Sequence, residues 1–295
     1  MIEQFKQYLM DLGRSEQTIK LYASDIGIFE NWFRIDNGYV LTPKTLTPSD
    51  IRNFKRENED RKLAPKTINR RLAAIHALVA YWMQAKLIDY DPAQNIKLAE
   101  EQELAPKWLD KLQQAALIRA LEKERSAART EISKVQAIRD KTIFILIMNT
   151  GLRIGEACAL QFSDIQIGER SGQARVMNGK RDKSRNIPLN NTARQALKDW
   201  LLIRPQVKND YIFITKLGER IHPRSLQLKL VMLSKHLGFD LTPHMLRHTC
   251  AKNLVDAGIP LNQIAAILGH NRLETTKIYI TPSQADLAKA VEKLE

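Results

Sequence analysis

Residues 242–279 read TPHMLRHTCAKNLVDAGIPLNQIAAILGHNRLETTKIY, and four side chains in this stretch decide how the rest of the chain is read. His244 follows Pro243 at the start of a helical pattern, and Arg247 comes three residues later on the same side. His270 follows Gly269 at a helix end, and Tyr279 lies nine residues beyond it. A further arginine, Arg153 in TGLRIGE, sits upstream just after an apolar helical run. Taken one at a time, each has an ordinary reading: an arginine is usually a surface residue and a tyrosine a packing one. Together they suit chemistry on a phosphodiester. Guanidinium forks match phosphate oxygens, imidazoles move protons and a phenol can attack phosphorus.

A phosphodiester resists attack because its non-bridging oxygens repel nucleophiles and its alkoxide is a poor leaving group. Arg153 and Arg247 suit the task of neutralising those oxygens. A tyrosine with a free pKa of about 10 needs positive charge or a base beside it, and the cluster supplies both. Glu156, one helical turn after Arg153, either orients that arginine or is a plain helix-face carboxylate. The general acid is harder to choose. NGKRDKSRNIPL reads as a hairpin tip between two strands, with Lys180, Arg181, Lys183 and Arg185 in or beside it; from the residues alone Lys180 and Lys183 are tied. His248 lies four residues after His244 and invites a zinc reading. That reading is weak, because HMLRH lacks the glutamate of HExxH and holds an arginine where a cation would sit. His248 is expected to pack or bond structurally.

The composition agrees with a nucleic-acid partner without requiring one. The formal net charge is +13, with 44% apolar and 27% charged residues. Residues 1–106 hold 15 Lys+Arg and 15 Asp+Glu, whereas residues 107–295 hold 31 and 18, so the whole excess lies in the second part. Such an excess suits a polyanion, although a basic surface also serves solubility. TIFILIM at 142–148 is the longest apolar run, well short of the roughly 18 residues that span a bilayer, and MIEQFKQYLMDLG has no signal-peptide layout; the expectation is a cytoplasmic protein without membrane attachment. Cys158 and Cys250 match no metal spacing and read as small core residues.

Working towards the N-terminus, residues 1–98 read as four helices forming a compact bundle. The first ends near Gly13, and Ser15 caps EQTIKLYASDIGIFENWF. Pro48 opens DIRNFKREN, and Pro65 opens KTINRRLAAIHALVAYWMQAKLI, expected to run until Asp91-Pro92. Lys66, Arg70 and Arg71 belong to a local basic run and are the candidate DNA contacts of this part, with Lys183 and Arg185 those of the hairpin. KLAEEQELAPK supplies the expected linker, 99–107. The second domain, 108–295, is expected to be mainly helical with one small antiparallel sheet built from FSDIQI, QARVM and RNIPL. EKERSAARTEISK within it is either a solvated helix extension or an inserted loop.

TGLRIGEACAL, GKRDKSRNIPL, TPHMLRHTCAKNLVDAGIPLNQIAAILGH and the IYI around Tyr279 resemble the tyrosine recombinase family, also called phage integrases. The likeness covers most of 140–280 and is specific in order and spacing. SEQTIKLYASDI and KTINRRLAAIHAL resemble the family's core-binding domain more weakly. The resemblance implies that Arg153 and Arg247 hold the scissile phosphate, His244 and His270 handle protons and Tyr279 is the nucleophile. It also implies Lys180 as the hairpin general acid, though Arg181 stands where the family's GKGxKxR pattern has its second glycine.

The implied reaction forms a 3′-phosphotyrosyl link and a free 5′-hydroxyl, reversed by a partner strand, without ATP, metal or other cofactor. The implied partners are double-stranded DNA with a specific recombination site and three further copies of the chain in a tetramer. The tail TPSQADLAKAVEKLE presents Leu287, Val291 and Leu294 as a stripe too small for a core, so 283–295 is expected to be a helix docked on a neighbouring protomer. Whether the reaction integrates a mobile element or resolves cointegrates or dimers is open, as is the need for an accessory protein. With the first helix starting almost at Met1, the simpler two-domain recombinases fit better than those with an added arm-binding domain. A DNA-relaxing or nicking enzyme and a silent DNA binder are the competing readings.

Overall fold

In the computed structural model the described residues are 2–101, 106–177, 184–269 and Thr276. The chain divides into two compact units, Met1–Leu104 and Ala105–Glu295.

The first unit is built on four helices: α1 (Ile2–Asp11), α2 (Glu16–Asn37), α3 (Pro48–Asp60) and α4 (Pro65–Gln84). Local chemistry sets their starts. Ser15 accepts a hydrogen bond from the Thr18 amide at 3.2 Å, and Thr47 forms a reciprocal capping box with Asp50. Prolines take the first turns of α3 and α4, where no amide partner is lost. The apolar stripes meet in one core holding Phe5, Phe29, Phe33, Leu72 and Trp82. Each such fully buried side chain contributes about 1.5–3 kcal/mol.

α4 ends at Gln84, well before Asp91-Pro92. Lys86 adopts a left-handed conformation (φ 56°), and the Leu87 amide closes the end by donating to the Trp82 carbonyl at 2.9 Å. That turn lets Ile88, Ala93 and Ile96 fold back onto the core.

Within each unit, a residue at or beside the expected linker is hydrogen-bonded to its own fold. Asn69 on α4 bonds both the amide and the carbonyl of Ala99, at 2.8 and 3.0 Å. Leu109 is buried in the second unit, its amide donating to Thr249 at 2.9 Å.

In the second unit α5 (Lys111–Ala127) and α6 (Glu131–Thr150) resolve the charged stretch 122–137 into both of its readings. α5 continues through Ala127, the chain breaks for three residues, and Thr130 caps a new helix through a box with Ser133. α6 is the central element: Ile143–Met148 are all buried, because α5, α8 (Asn191–Ile203) and α10 (Pro243–Asp256) pack around it. The short α7 (Ile154–Ala159) follows, then an antiparallel sheet in sequence order, β1 (Ile165–Ile167), β2 (Gly172–Met177) and β3 (Ser184–Pro188). FSD at 162–164 is a 3-10 turn rather than strand. YIFIT forms isolated bridges, Gln161 with Tyr211 and Ile214 with Arg220, that bury Ile212 and Phe213. α9 (Pro223–Leu237) and α11 (Leu261–Leu268) complete the described elements.

Candidate active site

Two glycine turns build the floor of the site. α6 ends at Gly151, whose φ of 65° no β-branched or bulky residue adopts readily, and whose amide donates to the Ile147 carbonyl at 2.9 Å. A Cβ there would collide with Leu268 of α11. α11 ends at Gly269 in the same conformation (φ 67°), where a Cβ would stand 2.9 Å from the Arg185 guanidinium. The missing side chains let two helix ends approach each other.

Arg247 joins those ends. On the second turn of α10, which Thr242 caps, it is only 4% exposed and donates to the carbonyls of Gly151 and, at 2.6 Å, Leu268. Arg153 precedes α7 directly after the Gly151 turn, and its side chain is 44% exposed. One nitrogen donates to Glu156 at 2.7 Å and another reaches the Gly269 carbonyl at 3.5 Å. Arg153 and Arg247, separate in sequence, therefore converge on the same pair of turns. A hydrogen bond to a neutral carbonyl fixes a guanidinium without neutralising it, which suits an anion site.

Glu156 is more than a helix-face carboxylate. It accepts from the Arg153 amide at 2.8 Å, from the Arg153 side chain, and from both terminal nitrogens of Arg185, at 3.1 and 2.7 Å. Burial pushes its carboxyl pKa up, but the Arg185 bond, the Arg153 amide and the Arg185 charge outweigh burial and hold it below the ordinary glutamate value.

Arg185, a candidate DNA contact by sequence, has a side chain that is 10% exposed, with Nε donating to the Ile267 carbonyl at 3.2 Å. The signal was present in RNIPL: strand alternation puts Arg185 on the face of Ile187, and its cross-strand partner Val176 is buried.

In the first unit, the candidate contacts Arg70 and Arg71 also have partners within the fold. Arg70 forks onto Asp25 at 2.8 and 3.0 Å, and Asp25 is 2% exposed. Arg71 bonds the buried Asn58 side chain. Both fasten α4 to neighbouring helices, while Lys66 is exposed.

His244, on the first turn of α10, is exposed along a groove of ≈ 630 Å³ that Val231, Lys235, Leu241 and His248 also line. The His244 and His248 rings lie 6.3 Å apart. His248 is half-buried, and burial, then the His244 and Arg247 charges, pull its pKa down to about 4, so it is neutral at physiological pH. Cys158 and Cys250 are buried, and burial raises both thiols to about 12, as befits packing residues. Among the described residues no helix is long and apolar enough to cross a membrane. Lys180, Lys183, His270, Tyr279 and the tail 283–295 lie outside the described residues.

The chain matches the model of the phage integrase family over residues 107–285 and that of the phage integrase N-terminal SAM-like domain over residues 2–86. It is 30% identical over 298 residues to tyrosine recombinase XerC of Corynebacterium glutamicum, covering 99% of this chain and 91% of the relative. It is 28% identical over 290 residues to XerC of Bacillus subtilis (94% and 90% covered) and 29% identical over 288 residues to XerD of Listeria monocytogenes (95% and 93% covered). Among solved structures, the XerH site-specific recombinase bound to its palindromic difH substrate aligns with a TM-score of 0.76, at 22% identity, over 92% of this chain and 78% of that one. The Tn1549 transposon integrase bound to a circular intermediate DNA aligns with a TM-score of 0.73 at 18% identity, over 100% and 99%.

The chain belongs to the phage integrase family, whose members here are tyrosine site-specific recombinases. Its layout is the two-domain Xer-like one.

Proposed function

We propose that the protein cuts and rejoins duplex DNA at a specific site through a 3′-phosphotyrosyl intermediate on Tyr279. The convergence of Arg153 and Arg247 on the Gly151 and Gly269 turns carries this reading, since it gathers two guanidiniums where a phosphate could be gripped. The Tyr279 oxygen attacks phosphorus as the bond to the 5′-oxygen breaks. Lys180 protonates the leaving oxygen, with Lys183 as its rival, while His244 and His270 handle the remaining protons. The 5′-hydroxyl of a partner strand reverses the step. The covalent link conserves the energy of the phosphodiester, so the step is balanced without ATP or metal.

The helical bundle and the catalytic domain would grip the duplex together, with boundaries at 1–98 and 108–295. Lys66 and the exposed part of Arg70 are its proposed contacts in the bundle. A cytoplasmic location suits that partner. Four protomers would assemble on two sites, the 283–295 helix of each docking on a neighbour. Deleting that segment should then lower recombination more than DNA binding, and equal losses would remove the docking role.

The decisive experiment offers DNA from beside the protein's own gene to wild type and Tyr279→Phe in EDTA, and looks for SDS-resistant adducts. An adduct from wild type alone is expected, and the mapped cleavage site then serves later assays. Adducts from both proteins would mean another nucleophile, and specific binding with no adduct from either would return the silent-binder reading. Relaxed or nicked products without strand exchange would favour a nicking enzyme built on the same residues.

A further inference from the structure

We infer that Arg185 is a positioning residue for the strand-cleavage site, tying the start of β3, directly after the segment that carries Lys180 and Lys183, to Glu156, and hence to Arg153, and to the C-terminal end of α11. The inference rests on the recombinase reading above. Three elements far apart in sequence meet at this one guanidinium. From β3 it binds both Glu156 oxygens, at 3.1 and 2.7 Å, and the Ile267 carbonyl, at 3.2 Å. It also lies against Gly269, where any Cβ would stand 2.9 Å away. The Glu156 carboxylate in turn holds the Arg153 amide and side chain at 2.8 and 2.7 Å.

The elements that Arg185 ties together continue in sequence into segments that carry candidate site residues. Ser184, its neighbour, pairs with Met177 in the last described rung of the sheet, and the residues between them in sequence include Lys180 and Lys183. On the other side, Ile267 and Gly269 lead directly to His270. A fork is needed for this task. Arginine spans two carboxylate oxygens and a carbonyl with one rigid plane, whereas a lysine ammonium holds a single point. A side chain facing inward at 10% exposure is poorly placed to hold a DNA backbone.

Three measurements on the full chain test this, comparing wild type with Arg185→Gln, Arg185→Lys and Glu156→Gln. The first needs no DNA: the Glu156 carboxyl is titrated by 13C NMR, identified by its loss in Glu156→Gln. The charged groups that the described residues bring to Glu156 are Arg153, from its own helix cap, and Arg185, from β3. The titration should move to higher pH in Arg185→Gln. An unmoved titration overturns the clamp.

The second is the rate of adduct formation on the mapped site, expected to fall by roughly tenfold to a hundredfold in Arg185→Gln, the scale of a small misplacement of reacting groups. Arg185→Lys should recover part of the loss, and the acidic limb of the rate profile in Arg185→Gln should shift upward with the titration. The third is DNA affinity and its salt dependence, expected to stay within about twofold. A weaker, less salt-dependent complex with an unchanged adduct rate at saturating DNA would return Arg185 to the DNA-contact role and overturn the inference. Loss of rate only in step with loss of thermal stability overturns it too, as a plain structural role. If wild type forms no adduct while the titration still moves, the clamp stands and the recombinase reading falls.

Discussion

The arginines of the two units work in opposite ways. In the helical bundle, Arg70 meets a carboxylate buried to 2% exposure, and Arg71 meets a buried amide. The Arg70 charge is answered within the fold, and the result is a staple between α4 and α2. In the second unit, Arg247 is 4% exposed, and its bonds include those to the Gly151 and Leu268 carbonyls. Carbonyls satisfy donors but leave the positive charge in place. Glu156, shared by Arg153 and Arg185, is the carboxylate that the described residues bring to this cluster. The difference teaches that an arginine forked onto a buried carboxylate serves as a structural tie, whereas arginines that converge on backbone carbonyls at two helix ends form a candidate anion grip.

Exchanging the partners is the strongest way to break this contrast. Arg247→Lys and Arg247→Ala should each lower adduct formation by about two to three orders of magnitude, the scale of losing one preorganised charge donor. Lysine should not rescue, because one ammonium cannot reach two carbonyls and a phosphate as a fork does. Asp25→Asn in the bundle should instead lower stability by about 1–3 kcal/mol in urea titrations, discounted from the usual cost of breaking a buried pair because Arg70 is partly exposed. The adduct rate at saturating DNA should hold. If Asp25→Asn abolished cleavage as thoroughly as Arg247→Ala, the division between staple and grip would fail.

A smaller effect sharpens the comparison from within α10. The His248 pKa is lowered to about 4 in the fold, against about 6.5 unfolded. The unfolded chain therefore takes up the proton first, and stability present above about pH 6.5 is lost progressively as pH falls towards 4. Urea midpoints measured down this range should decline for wild type and flatten in His248→Gln. A matching decline in the variant would assign the acid sensitivity to other groups.

Much of the fold could be read from local signals. Ser15, Thr47 and Asp110 set helix starts through their own side chains, and Gly151 and Gly269 end helices because glycine accepts the left-handed turn. The end of α4 escaped that reading. Asp91-Pro92 looked like the stop, but Lys86 takes the left-handed turn so that Ile88, Ala93 and Ile96 can be buried, a gain visible only when the core exists. The partners of the basic residues are not legible for a related reason. Arg70, Arg71 and Arg185 look like surface cations in a string of letters, and which oxygens inside the fold their guanidiniums bond depends on residues 13 to 82 positions away.

The sequence by itself determined the family, the mainly helical architecture with its three-stranded sheet, and the candidate set Arg153, Lys180, His244, Arg247, His270 and Tyr279, because caps, turns and motif spacing are encoded over short distances. Only the tertiary structure decided that Arg153 and Arg247 share one pair of glycine turns, and that Glu156 and Arg185 form a clamp beside them. The physical reason is that these bonds join α7, β3, α10 and α11, and a hydrogen bond between distant elements exists only after hydrophobic burial has brought them together.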